Sequence, residues 1–388
     1  MRDQTLCVRH PDVSHEGFAS LGTPTYRAST IVFPDAQSYA DRKHRGPDGY
    51  SYGLHGTPTS RTLEAALTGL EGGVRTVLLP SGQAAIAVIF LTVLQPGDTV
   101  LIPDTAYPPV RGFCENFLAP RGVDFRIYDP LIGDGIAELI DDTVKLVWTE
   151  SPGSTTMEIQ DIPAIVKAAH ARGALVGCDN TWATPVYFKP LKHGVDFSME
   201  ALTKYVNGHS DLLMGSVSVA DLPLHRRLKD TMRMMGFGVS PDDCSLVLRG
   251  LETMAIRLRH ASAIALDFAQ RMEARLPAGR VLHPGLPTAE GHDLWCRDFT
   301  GSSGVFSVIV PPHAETALPD LLTAAKVFSI GASWGGTHSL LAPMSVAGSR
   351  QFGRPEYEQT ILRISIGLED PEDLWGDLEP IIAAFAEK

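Results

Sequence analysis

The chain has little cysteine, little lysine and no hydrophobic run long enough to cross a bilayer. Five cysteines (Cys7, Cys114, Cys178, Cys244 and Cys296) are odd in number and form no CxxC pair. That excludes a disulfide framework or a zinc-ribbon pattern and fits reduced thiols in a cytoplasm. The longest strongly apolar stretch, Ala84 to Leu94, is 11 residues and already holds Thr92; a transmembrane helix needs about 20. Residues 1–12 carry no apolar segment, so no signal peptide is expected. Several sequence motifs are also absent. No GK[ST] follows a glycine loop, no GxGxxG follows a strand, and HExxH does not occur. His209 and Asp211 have no further ligands at metal spacing, so no metal is expected.

What is present is 388 residues, 44% hydrophobic and 20% charged. That excludes wholesale disorder and favours about two or three domains. Thirty-three basic residues against 45 acidic ones leave a net charge of −12, a poor match for nucleic acid or an anionic membrane. Residues 1–55 are rich in Pro, Gly, Ser, Thr and Tyr without periodicity. They read as an arm packed on another subunit, because Tyr26, Phe33, Tyr39, Tyr50 and Tyr52 need cover. Residues 56–245 alternate short β-rich runs (76–79, 99–102, 124–128, 144–149 and 174–178) with helical stretches (61–70, 83–94, 134–140 and 162–171). That alternation predicts an α/β domain with a mostly parallel sheet covered by helices. Residues 246–388 open with a long helix over 246–272. Strands at 304–310 and 363–366 and helices at 317–325 and 374–384 follow, predicting a smaller α+β domain.

Three features of the middle region converge. Ser81-Gly82-Gln83 follows a strand and opens an apolar helix. Gly82 lets the backbone approach an anion, and the helix start offers N–H groups; a plain N-cap gives the same pattern. Asp179 ends a buried apolar strand, where a carboxylate needs a partner such as a cationic ring nitrogen; a strand-end cap or a metal ligand also fits. Lys204, one of nine lysines, sits among apolar neighbours before Gly208-His-Ser-Asp. Such an amine has a depressed pKa and can form a Schiff base; a surface lysine beside a loop is the alternative. A phosphate cradle, an acid and an amine in that order describe one cofactor, pyridoxal phosphate.

With these residues in place, the chain resembles the Cys/Met-metabolism branch of fold-type I pyridoxal-phosphate enzymes, and within it the cystathionine β-lyases. The resemblance spans nearly the whole chain. It rests on Ser81-Gly-Gln-Ala-Ala, Glu150-Ser-Pro-Gly-Ser154, Asp179-Asn-Thr-Trp182, Thr203-Lys-Tyr, Ser333-Trp-Gly-Gly336 and Arg363-Ile-Ser-Ile-Gly-Leu-Glu369. The Glu-Ser-Pro-Gly form of the second motif is the β-lyase version; γ-lyases and γ-synthases typically show an Asn-Pro form.

The resemblance implies a seven-stranded sheet in the larger domain, and roles for single residues. Lys204 carries the cofactor and moves the α-proton, Asp179 pairs with the pyridine nitrogen, and Tyr107 stacks on the ring. Ser81, Gly82, Gln83 and Thr203 hold the phosphate. Tyr52 reaches in from a neighbouring subunit. Arg363 clamps the substrate carboxylate with Ser333 and Ser154, and Trp334 shapes the pocket. A homotetramer of dimers with shared active sites is implied, as is a place in transsulfuration and methionine biosynthesis. Leu54 stands where the family usually has an arginine reaching a neighbour's phosphate, so that contact is lost or His55 or Arg61 replaces it. Ala201, Leu202 and Ile330-Gly-Ala are further departures. The expected reaction is α,β-elimination of a small thioether amino acid, L-cystathionine, giving homocysteine, pyruvate and ammonia. A γ-lyase, a γ-synthase or a broad cysteine-S-conjugate β-lyase is the alternative on the same scaffold, and a non-catalytic cofactor-binding homologue is a remote one.

Overall fold

A computed structural model describes residues 14, 16–46 and 49–386. Seven strands form the larger sheet: β1 (Arg75–Leu79), β2 (Thr99–Pro103), β3 (Asp124–Tyr128), β4 (Val144–Glu150), β5 (Leu175–Asp179), β6 (Phe197–Glu200) and β7 (Gly215–Val219). Their order is β1-β7-β6-β5-β4-β2-β3. Only β7 runs antiparallel to its neighbours, which leaves β1 pointing the same way as the parallel strands. β2 and β7 are buried at every position, as strands covered on both faces must be.

The helices follow from caps and apolar faces. α1 (Pro58–Glu71) opens on a reciprocal Thr57–Ser60 capping box and stops at Gly72, whose φ of 70° an L side chain rarely adopts. α2 (Gly82–Val93) is apolar on nearly every face and is correspondingly buried, from Ala85 to Val93, beneath α4 (Leu222–Met235). α3 is Ile162–Ala171. The stretch read as a helix at 134–140 is instead a 3-10 helix, Gly133–Leu139.

The long helix α5 runs over Pro241–Glu273 and so starts upstream of the expected Leu246. Pro241 is no obstacle there: the first helical residue needs no N–H donor, and Ser240 Oγ caps Asp242 N–H at 3.1 Å. α5 leads to a second sheet in the order β10-β11-β12-β9-β8, formed by β8 (Val281–Leu282), β9 (Val305–Ile309), β10 (Ser329–Ile330), β11 (Leu340–Met344) and β12 (Ile361–Ser365). α6 (Leu318–Ala324) and α7 (Pro371–Ala386) cover it. The buried Leu374, Leu378, Ile381, Ile382 and Phe385 of α7 repeat at three- and four-residue spacing, each worth about 1.5–3 kcal/mol of burial.

The fold is therefore α/β, with a smaller second sheet. In the arm, Tyr26 N–H donates to Thr59 Oγ1 at 2.8 Å and Gly53 N–H to Ser29 O at 2.8 Å, while Tyr26, Tyr39 and Tyr52 stay exposed. Residues 1–13, 15, 47 and 48 of the arm, Cys7 among them, lie outside the described residues. Cys114, Cys178, Cys244 and Cys296 are unpaired thiols. Among the described residues no helix is long and apolar enough to cross a membrane.

Candidate active site

The C-terminal ends of β1, β4, β5 and β6 share one edge of the sheet, where ligands of such sheets bind. A cavity of about 270 Å³ opens there. Ten of the residues singled out in the sequence line it: Ser81, Gly82, Gln83, Tyr107, Ser154, Asp179, Thr203, Lys204, Trp334 and Arg363.

One wall is the start of α2. Ser81 Oγ accepts Ala84 N–H at 3.1 Å, leaving the first amides of the helix to serve an anion. Two glycines make the wall close-fitting. A Cβ on Gly82 would come within 2.8 Å of Ala201 Cβ, and one on Gly215 within 2.4 Å of Ser81 O. Thr203 Oγ1 accepts Met214 N–H at 3.1 Å, which holds the turn between β6 and β7 beside that wall.

Asp179 is 9% exposed, and its Oδ1 accepts Thr181 N–H at 3.0 Å. Burial raises its proton affinity, while Thr181 and the charge of Lys204 lower it. Thr181 Oγ1 accepts Ala201 N–H at 2.9 Å, tying the turn that follows Asp179 to the turn that carries Lys204. Burial, then the like charge of Arg363, brings the Lys204 amine down to about 8, against a smaller opposing effect from Asp179. Lys204 Nζ donates to Ser333 Oγ at 2.8 Å and lies 5.0 Å from the centre of the Trp334 ring. Ser333 and Trp334 come from the connection between β10 and β11, so the amine spans the two sheets. Arg363, on β12, is 7% exposed and donates through Nη2 to Ala332 O.

Tyr107 N–H donates to Glu150 Oε2 at 2.7 Å, and Ser154 N–H to Thr105 O at 2.9 Å. Glu150 ends β4 directly beside Asp179 in register. Burial, then the charge of Asp179, pushes its carboxyl well above the usual range. The sequence reading quoted Glu150 and Thr181 without giving either a task, and gave Gly215 none. The signal for Glu150 was a second acid closing a buried strand. Trp182, also without a task, fixes its indole by donating Nε1–H to Val305 O at 3.1 Å.

A buried ion network braces the rim. Arg350 donates to Asp104 Oδ2 through Nε at 2.9 Å, to Thr156 Oγ1 at 2.8 Å and to Glu158 Oε1 at 2.9 Å. Asp104 Oδ2 also accepts the N–H groups of Gln351 and Phe352, each at 2.8 Å.

Tyr52 lies outside the cavity, in a separate basic hollow with Arg42, His55, Lys229 and Arg233. Leu54 packs against Gly238. Arg61 gives Nη1 to Glu64 at 2.6 Å and Nη2 to His55 O at 2.7 Å. Burial, then Arg233, Lys229 and Arg61, lowers the His55 imidazole below its ordinary value.

The cavity has the donor set for pyridoxal phosphate. A helix start without a Cβ in the way suits the phosphate, the buried Asp179 suits a cationic ring nitrogen, and one amine of lowered basicity lines the same cavity.

Comparison with known proteins agrees. The family model described as Cys/Met metabolism PLP-dependent enzyme matches residues 4–383. Cystathionine beta-lyase of Escherichia coli is 40% identical over 368 residues, covering 93% of this chain and 92% of that one. An L-alanine/L-glutamate racemase of Wolbachia pipientis is 37% identical over 395 residues, covering 99% and 97%. The crystal structure of cystathionine gamma synthase from Xanthomonas oryzae in complex with cystathionine superposes with a TM-score of 0.86 at 30% identity, covering 95% and 94%.

Proposed function

The chain belongs to the Cys/Met metabolism PLP-dependent enzymes, and from that premise we propose that it is a carbon–sulfur lyase performing α,β-elimination on L-cystathionine. The cofactor is pyridoxal phosphate. When bound, it supplies an aldehyde for amines and a protonated ring that draws electrons from Cα. We assign its binding to residues 56–245 and the substrate clamp to residues 246–388. Ser81, Gly82, Gln83 and Thr203 would hold the phosphate, Asp179 would pair with the ring nitrogen, and Tyr107 would pack on the ring.

The Arg363 guanidinium holds the substrate carboxylate, with Ser154 and Ser333 alongside. Lys204 Nζ takes the proton from Cα, as an amine tuned to about 8 can do near neutral pH. Ser333 Oγ keeps that nitrogen in place. The Cβ–S bond then breaks. The sulfur leaves as homocysteine, taking a proton from Lys204 or from a tyrosine hydroxyl of Tyr107 or Tyr52. Water converts the three-carbon remainder to pyruvate and ammonia. Trp182 and Trp334 limit water near Cα. Tyr52 acts from a second subunit of a homotetramer, and the setting is cytoplasmic methionine biosynthesis.

The observation that supports this reading most is the single amine of lowered basicity in one cavity with Asp179 and Arg363. Relatives named as lyase, synthase and racemase make the product the deciding measurement. Purified enzyme given L-cystathionine should release pyruvate and homocysteine in equal amounts. Release of 2-oxobutyrate with cysteine, or only racemisation of alanine or glutamate, would overturn it.

A further inference from the structure

Behind Asp179, facing away from the cavity, lies a group of side chains that elimination does not use. Met199 and Ala201 line the cavity, and strand alternation sends Ser198 and Glu200 to the opposite face. Glu200 is 2% exposed, and neither carboxyl oxygen has a hydrogen-bond partner among the described residues. The amide of Asn180 faces it. Asn180 Nδ2 donates to Phe188 O at 3.0 Å, which fixes the amide's orientation and leaves Oδ1 as its atom without a partner. Glu71, at the end of α1, is 1% exposed; one of its oxygens accepts Ser198 Oγ–H at 3.0 Å and the other has no partner.

Four buried oxygens thus stand together as acceptors. An ionised carboxylate cannot donate, whereas a protonated one carries an O–H donor. Lys189 is the cation acting on Glu71, and one cation offsets one carboxylate, not two.

We propose that Glu200 is a neutral carboxylic acid whose O–H donates to Asn180 Oδ1, and that it positions Asp179 from behind. Burial first, then the neighbouring Glu71 and Asp179 carboxylates, favour the proton, against a smaller opposing effect from the Asn180 amide. The surrounding bonds show what the donor would hold. Asn180 N–H donates to Met199 O and Asn180 O accepts Thr184 N–H, both at 2.9 Å. Thr181 N–H then holds Asp179 Oδ1. Asn180 Oδ1 is the remaining loose point of that turn. Neutrality also spares Asp179 a like charge, so its single negative charge stays directed at the cavity. The positioning half of the inference rests on the proposed role of Asp179; the protonation half does not.

The test separates the two. Infrared difference spectra of cofactor-free protein, wild type minus Glu200→Gln, should show one protonated-carboxyl stretching band. Its absence would mean an ionised Glu200 and would overturn the inference, whether or not the protein binds pyridoxal phosphate. In the holoenzyme, Glu200→Leu should shift the cofactor's visible absorption and weaken cofactor retention about tenfold. Glu200→Gln, which can still donate to Asn180, should restore both. Unchanged absorption in the leucine variant would remove the positioning role. If that variant does not fold, the glutamine variant alone decides: a shifted cofactor absorption there overturns the role, and an unshifted one with the infrared band supports it.

Discussion

In the seven-stranded sheet the charged groups of the cavity sit where strands stop. Asp179 closes β5, Glu150 closes β4, and Lys204 follows β6. In the five-stranded sheet, Arg363 sits in the middle of β12, flanked in register by Ala342 and Ser307. A strand end places a side chain through a turn, and the turn can be retuned by a few hydrogen bonds. A mid-strand residue is aimed by the pleat and by two ladders at once. On the proposed mechanism, the anchor for substrate thus stands on a strand held by two ladders and the proton-moving amine on an adjustable turn.

The largest expected effect comes from removing the strand-end amine. Lys204→Ala should lower pyruvate release by about 10³-fold while circular dichroism stays unchanged. Near-normal turnover would sink the elimination mechanism. Next comes the mid-strand anchor. Arg363→Ala should raise KM about 10–100-fold, the loss of a charged hydrogen-bonded contact, and leave the cofactor's colour intact. A drop in kcat alone would mean that the guanidinium does something other than hold substrate.

The two sheets are also coupled, because the charge of Arg363 helps lower the Lys204 amine. An amine attacks an aldehyde only when unprotonated. Uptake of pyridoxal phosphate by cofactor-free enzyme should therefore quicken with pH and level off above about 8. Arg363→Met removes a like charge, so the plateau should move to higher pH. An unmoved plateau would mean that burial alone tunes the amine. The smallest effect concerns Glu150. Glu150→Leu removes the acceptor of Tyr107 N–H and should cost about fivefold in kcat/KM, and Glu150→Gln, which keeps an acceptor oxygen, should recover most of it.

Much of this was legible because it is local. Ser81-Gly82 before an apolar helix, Asp179 after an apolar strand and Lys204 among apolar neighbours each announce themselves within about ten residues. The first five strands emerged within a residue or two of their expected ends for the same reason. What stayed hidden depends on contacts distant in the chain. Nothing near Gly215 says that its α-carbon must pass Ser81 O, and nothing near Arg350 says that Asp104 lies beside it. α5 starts upstream of Leu246 because Pro241 occupies the one turn that tolerates it, with Ser240 as the cap. The 3-10 form of 133–139 reflects a stretch with two glycines, Gly133 and Gly135, and too little apolar face to hold a full α-helix.

The Arg350 network has a mechanical consequence. Its guanidinium and the adjoining amides hold the Asp104 loop that leads to Tyr107, the Thr156–Glu158 turn that follows Ser154, and their own segment. These three pieces of the rim cannot be displaced separately without stranding buried charge. Any motion of this rim must therefore carry the three pieces together.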